Sequence, residues 1–317
     1  MNPDRLSGYL HPTPPFRLPA RIPEGRPHQV TPHRDGVRLQ LHLNIDGRPL
    51  LATVRAVGTP RRPVLAWELT AAHAISEAIR YAALERLVRI LDLHAPRHDF
   101  LAAAALDPPL QAVLRHRGGA VPIRAATVFE AVVIAVIRQH HPHRSGRCLT
   151  RLATHFGAAL PGAPGQGHAF PAPSAFLKPS LERLAALSGS RELAWRLQVV
   201  ASGIEEGGDA RLMQLSSPAL GAWLGDIAGL DAAAVRWLLI RDLGRNDPLP
   251  APDSLLDQGL RAIYGPLNGD DYLRLTARYR PWSSIWDAVV RMAGEQVSGT
   301  AVTAEGPLVF SSRPELR

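Results

Sequence analysis

Residues 37–45, VRLQLHLNI, place Val37, Leu39, Leu41, Leu43 and Ile45 on alternate positions, the period of a half-buried strand. Asp46-Gly47 follows as a turn, and LLATVRAV (50–57) completes a hairpin. PVLAWEL (63–69) reads as a third strand. From about 70 to 93 the spacing becomes helical, with Ile75, Ile79, Leu87, Ile90 and Leu91 on one face. After Pro96 the pattern is one of helices only. Phe129, Val132, Val133, Val136 and Ile137 mark one buried face, and Pro142 ends that helix. Ser190 caps a helix carrying Leu193, Leu197 and Val200, with Gly203 near its end. Ser217-Pro218 opens a short helix as N-cap and N1. A helix then runs from Ala232 to Leu243, and two more are broken at Pro281. The predicted fold is mainly α: a helical core with a small N-terminal α+β unit of antiparallel sheet plus helix. The expected divisions are a loose Pro/Arg-rich arm (1–33), the α+β domain (34–100), an all-helical core (101–295) and a polar tail (296–317). Residues 158–174 are expected to form a long Pro/Gly loop.

Composition narrows the function classes. With 317 residues, 46% hydrophobic and 20% charged, the chain can bury a substantial core. No apolar run is long enough to span a bilayer, and the N-terminus lacks the apolar stretch of a signal peptide. A cytoplasmic protein with no membrane partner is expected. The lone Cys148 excludes an intramolecular disulfide and any four-cysteine metal site. Net charge is +8 and the pI about 10.6, a balance that suits a polyanionic partner. The basic residues are nearly all arginine, and Lys178 is the only lysine.

The segment 227–260 reads helix, tight glycine turn, helix, proline-rich loop, aspartate, helix. Asp253 stands after Pro252 where the last helix begins, and as an Asp at a helix start it is a favoured N-cap. The segment resembles the helix–hairpin–helix (HhH-GPD) DNA glycosylases, in particular the 3-methyladenine DNA glycosylase II type. ERLVRILDLHAP (85–96), VFEAVVIAVIRQHH (128–141), FPAPSAF (170–176) and RYRPWSSIW (278–286) are similar to that family's motifs, in the family's order. The resemblance covers about residues 85–295.

The resemblance implies that the hairpin Gly229-Leu230-Asp231 binds a DNA phosphate through backbone amides, as turns at helix N-termini can. It implies no cofactor beyond a structural monovalent cation on the hairpin carbonyls. Asp231 replaces the family's second glycine, and its carboxylate repels a phosphate. It also suits an N-cap of the following helix, and Arg236, Arg241 and Arg245 offset its charge in part.

Asp253 falls on the family's essential aspartate. Cleaving an N-glycosidic bond builds positive charge on the deoxyribose, and a fixed carboxylate stabilises it. At about 4 Å and an effective dielectric of about 20 the attraction is about 4 kcal/mol, on the order of a thousandfold in rate. Strand-nicking relatives form a Schiff base through a hairpin lysine. Ala233 occupies that position here, so a water-using, monofunctional glycosylase without AP-lyase activity is expected.

The target base must be flipped out of the duplex, and RQHHPHR (138–144) corresponds to the family's wedge loop. His140 is the wedge candidate and Gln139 supports it. A solvated basic loop and a metal site at His140, His141 and His143 are the other readings. Trp237, Phe129 and Arg291 are the base-pocket candidates. Ala233 and Arg291 stand where alkylbase enzymes often carry tryptophan, which leaves a different or more open pocket. The expected partner is double-stranded DNA with a flipped damaged nucleotide, bound by a monomer. Two alternatives stay open: a non-catalytic DNA-binding relative, and a glycosylase for a deaminated or oxidised base.

Overall fold

Asp46 and Gly47 both take positive φ, 49° and 79°. A two-residue hairpin loop needs that backbone to match the right-handed twist of its strands. The structure is a computed structural model that describes residues 3–19, 22, 28–33, 36–95, 97–117, 123–161, 167–245 and 254–297. Five strands come first: β1 (Asp4–Leu10), β2 (His28–His33), β3 (Gly36–Ile45), β4 (Arg48–Ala56) and β5 (Leu65–Ala71). They form one antiparallel sheet in the order β1-β5-β4-β3-β2. Leu41 faces Ala52 across the hairpin, and Leu6 faces Leu69 at the other edge.

The arm expected over residues 1–33 is therefore corrected, since it contributes both edge strands. In β1 the positions Leu6, Gly8 and Leu10 do alternate inward. Gly8 has no side chain to reveal the pattern, and the Trp67 ring lies where its Cβ would be. A second correction concerns residues 70–76. Thr70 and Ala71 still belong to β5, and the helix α1 (Glu77–Ile90) starts only where the Ser76 hydroxyl accepts from the Ile79 amide. Ile79, Ala83, Leu87 and Ile90 of α1 cover one sheet face, over Leu39, Leu41, Leu50, Val54 and Leu69. Each such fully buried aliphatic side chain contributes about 1.5–3 kcal/mol.

The helices continue as α2 (Arg97–Ala104), α3 (Pro108–Arg117), α4 (Val128–His140), α5 (Ser145–Phe156), α6 (Pro173–Leu177), α7 (Leu181–Ser188) and α8 (Arg191–Gly207). Then come α9 (Asp209–Gln214), α10 (Ser217–Ala228), α11 (Ala232–Trp237), a π-helical turn (Leu238–Asp242), α12 (Ser254–Tyr264), α13 (Gly269–Arg278) and α14 (Ser283–Val297). Helix α4 is the centre of the largest core, buried from Val128 to Ile134 and surrounded by residues of α5 to α8 and α10. Gly203 stands one turn before the end of α8, as expected, where Trp223 and Ile227 of α10 pack against it. The N-cap of α10 is Ser216, one residue before the expected Ser217. Its hydroxyl takes the Ala219 amide and Pro218 sits in the first turn.

A separate cluster joins α2 and α3 to α12, α13 and α14 through Phe100, Leu110, Leu260, Tyr279, Trp286 and Val290. Asp107 sits inside it and accepts from the Tyr264 and Tyr279 hydroxyls at 2.9 and 2.7 Å. The sheet and helices are tied together by Asp209. One of its oxygens accepts from the Val128 amide at 2.6 Å, and the other lies 3.5 and 3.4 Å from Arg86 and Arg89 of α1. The 158–174 loop is described in part. Its ends dock on the sheet, where Asn44 donates to the Phe170 carbonyl. Residues 298–317, most of the expected polar tail, lie outside the described residues.

Candidate nucleic-acid interface and base cavity

Helix α10 ends on Gly229, which takes the left-handed conformation (φ 63°) and donates its amide to Gly225. The chain reverses through Leu230, and Asp231 starts α11 by accepting the Ala234 amide at 2.8 Å. The capping reading of Asp231 is thus realised in the structure. Gln139, at the end of α4, ties the turn shut. Its side-chain amide donates to the Gly229 carbonyl at 2.9 Å, and its oxygen accepts the Asp231 amide at 3.2 Å. This side chain hydrogen-bonds core helix to hairpin, beside the apolar packing of Leu230, Leu238 and Leu239 on the α4 core.

Beside the hairpin lies a cavity of about 230 Å³ lined by Ala135, Arg138 and Gln139 of α4 and by Asp231, Ala233, Ala234, Trp237, Leu238 and Asp242. A dry cavity of about 150 Å³ holds a benzene ring, so this volume suits a single bicyclic base. The hairpin helix does not stay α-helical to Leu243 as expected. It widens after Trp237 into the π-helical turn, in which the Leu243 amide reaches the Leu238 carbonyl. Single π turns inside helices are frequent at functional sites. Here the turn brings the buried Asp242 into the same lining as Trp237.

The other predicted residues are placed as follows. Arg241 and Arg291 set their guanidinium carbons 5.2 and 5.4 Å from the Trp237 ring centroid. Arg291, 2% exposed, donates from Nε to Asp287 at 2.8 Å. It supports the aromatic wall from behind. Phe129 is corrected: it is 2% exposed, packs on Phe170 and Phe176 inside the α4 core, and lines no part of the cavity. A phenyl ring at the buried start of α4 belongs to the core by the same helical spacing that revealed the helix. His140 is also corrected as a projecting wedge. Its ring folds back, with Nδ1 3.0 Å from the Val136 carbonyl and Nε2 3.8 Å from Glu192. The exposed residues of that loop are Gln139, Pro142, His143 and Arg144. Arg245 turns away to the Met213 carbonyl, at 2.6 Å. Arg236 is half-buried on α11. Asp253 lies outside the described residues; the helix α12 starts at the next residue, Ser254.

Among the described residues no group of three or more His, Cys, Asp or Glu side chains is arranged to hold a metal ion, and no helix is long and apolar enough to cross a membrane. Lining residues that the sequence did not single out are Ala135, Arg138, Ala234, Leu238 and Asp242. Ala135 and Arg138 stand three residues apart on α4 and so share a face, but only the position of the hairpin shows that this face meets a cavity.

This arrangement, a sheet-bearing N-terminal unit, a central apolar helix and a hairpin beside a base-sized cavity, is the fold of the helix–hairpin–helix DNA glycosylases. Similar solved structures include a 3-methyladenine DNA glycosylase from Archaeoglobus fulgidus, with 18% identity and a TM-score of 0.68 over 86% of this chain and 91% of that one. An MBOgg1 structure in complex with a low-affinity DNA ligand shares 18% identity at a TM-score of 0.69, covering 94% of this chain and 100% of that one. The 8-oxoguanine glycosylase/lyase of Clostridium acetobutylicum, in complex with double-stranded DNA, shares 12% identity at a TM-score of 0.60, covering 86% and 88%. No protein-family model matches the sequence, and no curated protein matches it.

Proposed function

We propose that the protein is a monofunctional DNA glycosylase that hydrolyses the N-glycosidic bond of an alkylated base in duplex DNA, as the first step of base excision repair. It would act in the cytoplasm as a monomer and have no AP-lyase activity. The observation that carries this reading is the cavity beside the hairpin, of a size for one flipped base and walled by Trp237. Ala233 lines it where a strand-nicking enzyme needs an amine, and Lys178 is exposed just beyond α6, outside the lining. With no lysine to form a Schiff base, water is the nucleophile. In this reading Asp253 supplies the carboxylate that stabilises the sugar cation and orients that water.

One observation favours a second substrate class. The Arg241 and Arg291 guanidiniums stand against the aromatic wall. A cationic alkylated base stacked there meets like charge: at about 6 Å and a dielectric of about 20, one guanidinium opposes it by about 3 kcal/mol, an effect that the lining carboxylates Asp231 and Asp242 offset in part. Arg291 is neutralised by Asp287, which leaves Arg241 as the source of this effect. A neutral oxidised or deaminated base avoids the penalty. A release assay separates the readings, using duplexes that carry single 3-methyladenine, 7-methylguanine, 8-oxoguanine or hypoxanthine lesions. Abasic product is revealed by alkali, with Asp253→Asn as control. Release of the methylated bases alone supports the first reading, and release of the neutral lesions alone the second. No release from any duplex that the protein binds leaves a non-catalytic DNA-binding relative. Covalent trapping by borohydride would contradict the monofunctional assignment.

A further inference from the structure

Helix α8 passes beside the hairpin and carries two residues that no part of the catalytic reading uses. Trp195 is 49% exposed, an unusual cost for the largest apolar side chain. The Arg196 guanidinium lies 4.9 Å from its ring centroid. The same guanidinium is pressed against the hairpin turn: a Cβ built on Gly229 would lie 2.7 Å from its central carbon and 2.8 Å from Nη1. Arg196 Nε is buried with no hydrogen-bond partner, and Arg196 joins no ion pair among the described residues. Glycine is required at 229 twice over, for its positive φ and for this close approach.

Around this cation part of the hairpin's backbone is already engaged. The Asp231 amide is given to Gln139, the Ala234 amide to the Asp231 carboxylate, and the Gly229 amide to Gly225. The start of α11 thus already holds a negative charge. A phosphate arriving there needs a compensating side chain, and Arg196 is the cation at the turn. Arg191, earlier on α8, is exposed and lies 3.7 Å from Glu182.

We infer that Arg196, held on the face of Trp195 against Gly229, binds a phosphodiester of the DNA backbone, so that the hairpin's phosphate site rests on a side chain of α8. A planar guanidinium offers a phosphate two parallel donors, which a single backbone amide does not. The exposed face of Trp195 is left to the adjoining sugar. This inference rests on the DNA-binding part of the proposed function.

The test is fluorescence anisotropy with a labelled duplex containing a tetrahydrofuran abasic-site analogue, titrated at several salt concentrations. Each phosphate contact contributes about 0.9 to the slope of log affinity against log salt. Arg196→Gln is expected to make the slope shallower by about 0.9, with affinity at 0.1 M salt about tenfold lower. Arg196→Lys should keep the slope and lose part of the affinity. Trp195→Leu, at an exposed position that folding does not need, should weaken binding several-fold. Thermal melts of each variant confirm that it is folded. If the wild type binds and Arg196→Gln binds with unchanged slope and affinity, the inference is wrong and the DNA-binding reading stands. If the wild type does not bind the duplex, the DNA-binding reading itself is overturned, and this inference with it.

Discussion

The ion pair behind the cavity wall makes a quantitative prediction. Asp287 and Arg291 stand one turn apart on α14, with side chains 0% and 3% exposed and Nε 2.8 Å from Oδ2. Arg291→Met removes the cation and leaves a carboxylate in the interior. Breaking a buried pair from one side costs about 3–5 kcal/mol. At about 2–4 °C per kcal/mol for a chain of this size class, Tm should fall by about 6–20 °C. Asp287→Leu should cost a similar amount, since it takes a carboxylate away from a buried guanidinium. The double variant replaces both groups by apolar side chains of similar bulk and should recover most of the loss. Urea denaturation of the four proteins gives the coupling energy as a double-mutant cycle, expected at about 3 kcal/mol or more. Because Arg291 also backs Trp237, base release by the folded Arg291→Met protein should slow. A cost below about 1 kcal/mol for the single change, or additive effects in the cycle, would refute the reasoning, since either means that other groups or solvent satisfy the carboxylate once Arg291 is gone.

Three further outcomes follow from the same structure. Asp209→Ala removes the acceptor shared by the α4 N-terminus and two α1 arginines, and should cost about 2–4 kcal/mol in a denaturant titration. Burial pushes the Cys148 thiol up to about 11, so at pH 8 the native protein should react with iodoacetamide far more slowly than the protein in urea. Burial lowers the His42 pKa below its ordinary 6.5, against the opposing effect of its bond to the His168 carbonyl. The folded state therefore binds fewer protons at His42 than the unfolded state does. The contribution is complete above pH 6.5 and is lost as pH falls below 6.5 towards the folded pKa. The Tm difference between wild type and His42→Asn should accordingly shrink between pH 7.5 and 5.5.

What was legible in the sequence was set by local rules. The Asp46-Gly47 hairpin and the Ser190 cap are fixed by backbone chemistry within a few residues. The apolar face of α4 shows because its spacing repeats. The readings that needed correction depend on distant partners. β1 alternates, but Gly8 gives no apolar signal until Trp67 of β5 fills its place. His140 follows Gln139 in the chain, yet Gln139 reaches the hairpin while His140 turns back to Val136. Phe129 shares a helix with the cavity residues and stands at its other end, inside the core. The family resemblance located the hairpin correctly. It gave no account of the residues with which this chain departs from the pattern.

Those departures are coupled through the π-helical turn. An α-helix continued past Trp237 would carry Asp242 about 100° per residue around the axis; widening the turn changes that phase. Asp242 lines the cavity while its carbonyl takes the Ala125 amide ahead of α4. The chain leaves the turn through Gly244, whose positive φ (68°) and lack of a side chain admit the Arg124 guanidinium. Arg124 in turn pairs with Asp92 at 2.7 Å, just past α1. The sheet unit, the start of α4 and the exit of the hairpin helix therefore share one arginine. A Cβ at position 244 would overlap that guanidinium, so Gly244→Ala should disturb both ends of the cavity at once. The cost should exceed the usual penalty of about 1 kcal/mol for a non-glycine residue in left-handed backbone. The cavity is thus an outcome of how the N-terminal unit braces the hairpin. Its shape should respond to Asp92→Ala, a change at a residue that does not line the cavity, and lesion preference in the release assay is the measurement that reads this coupling.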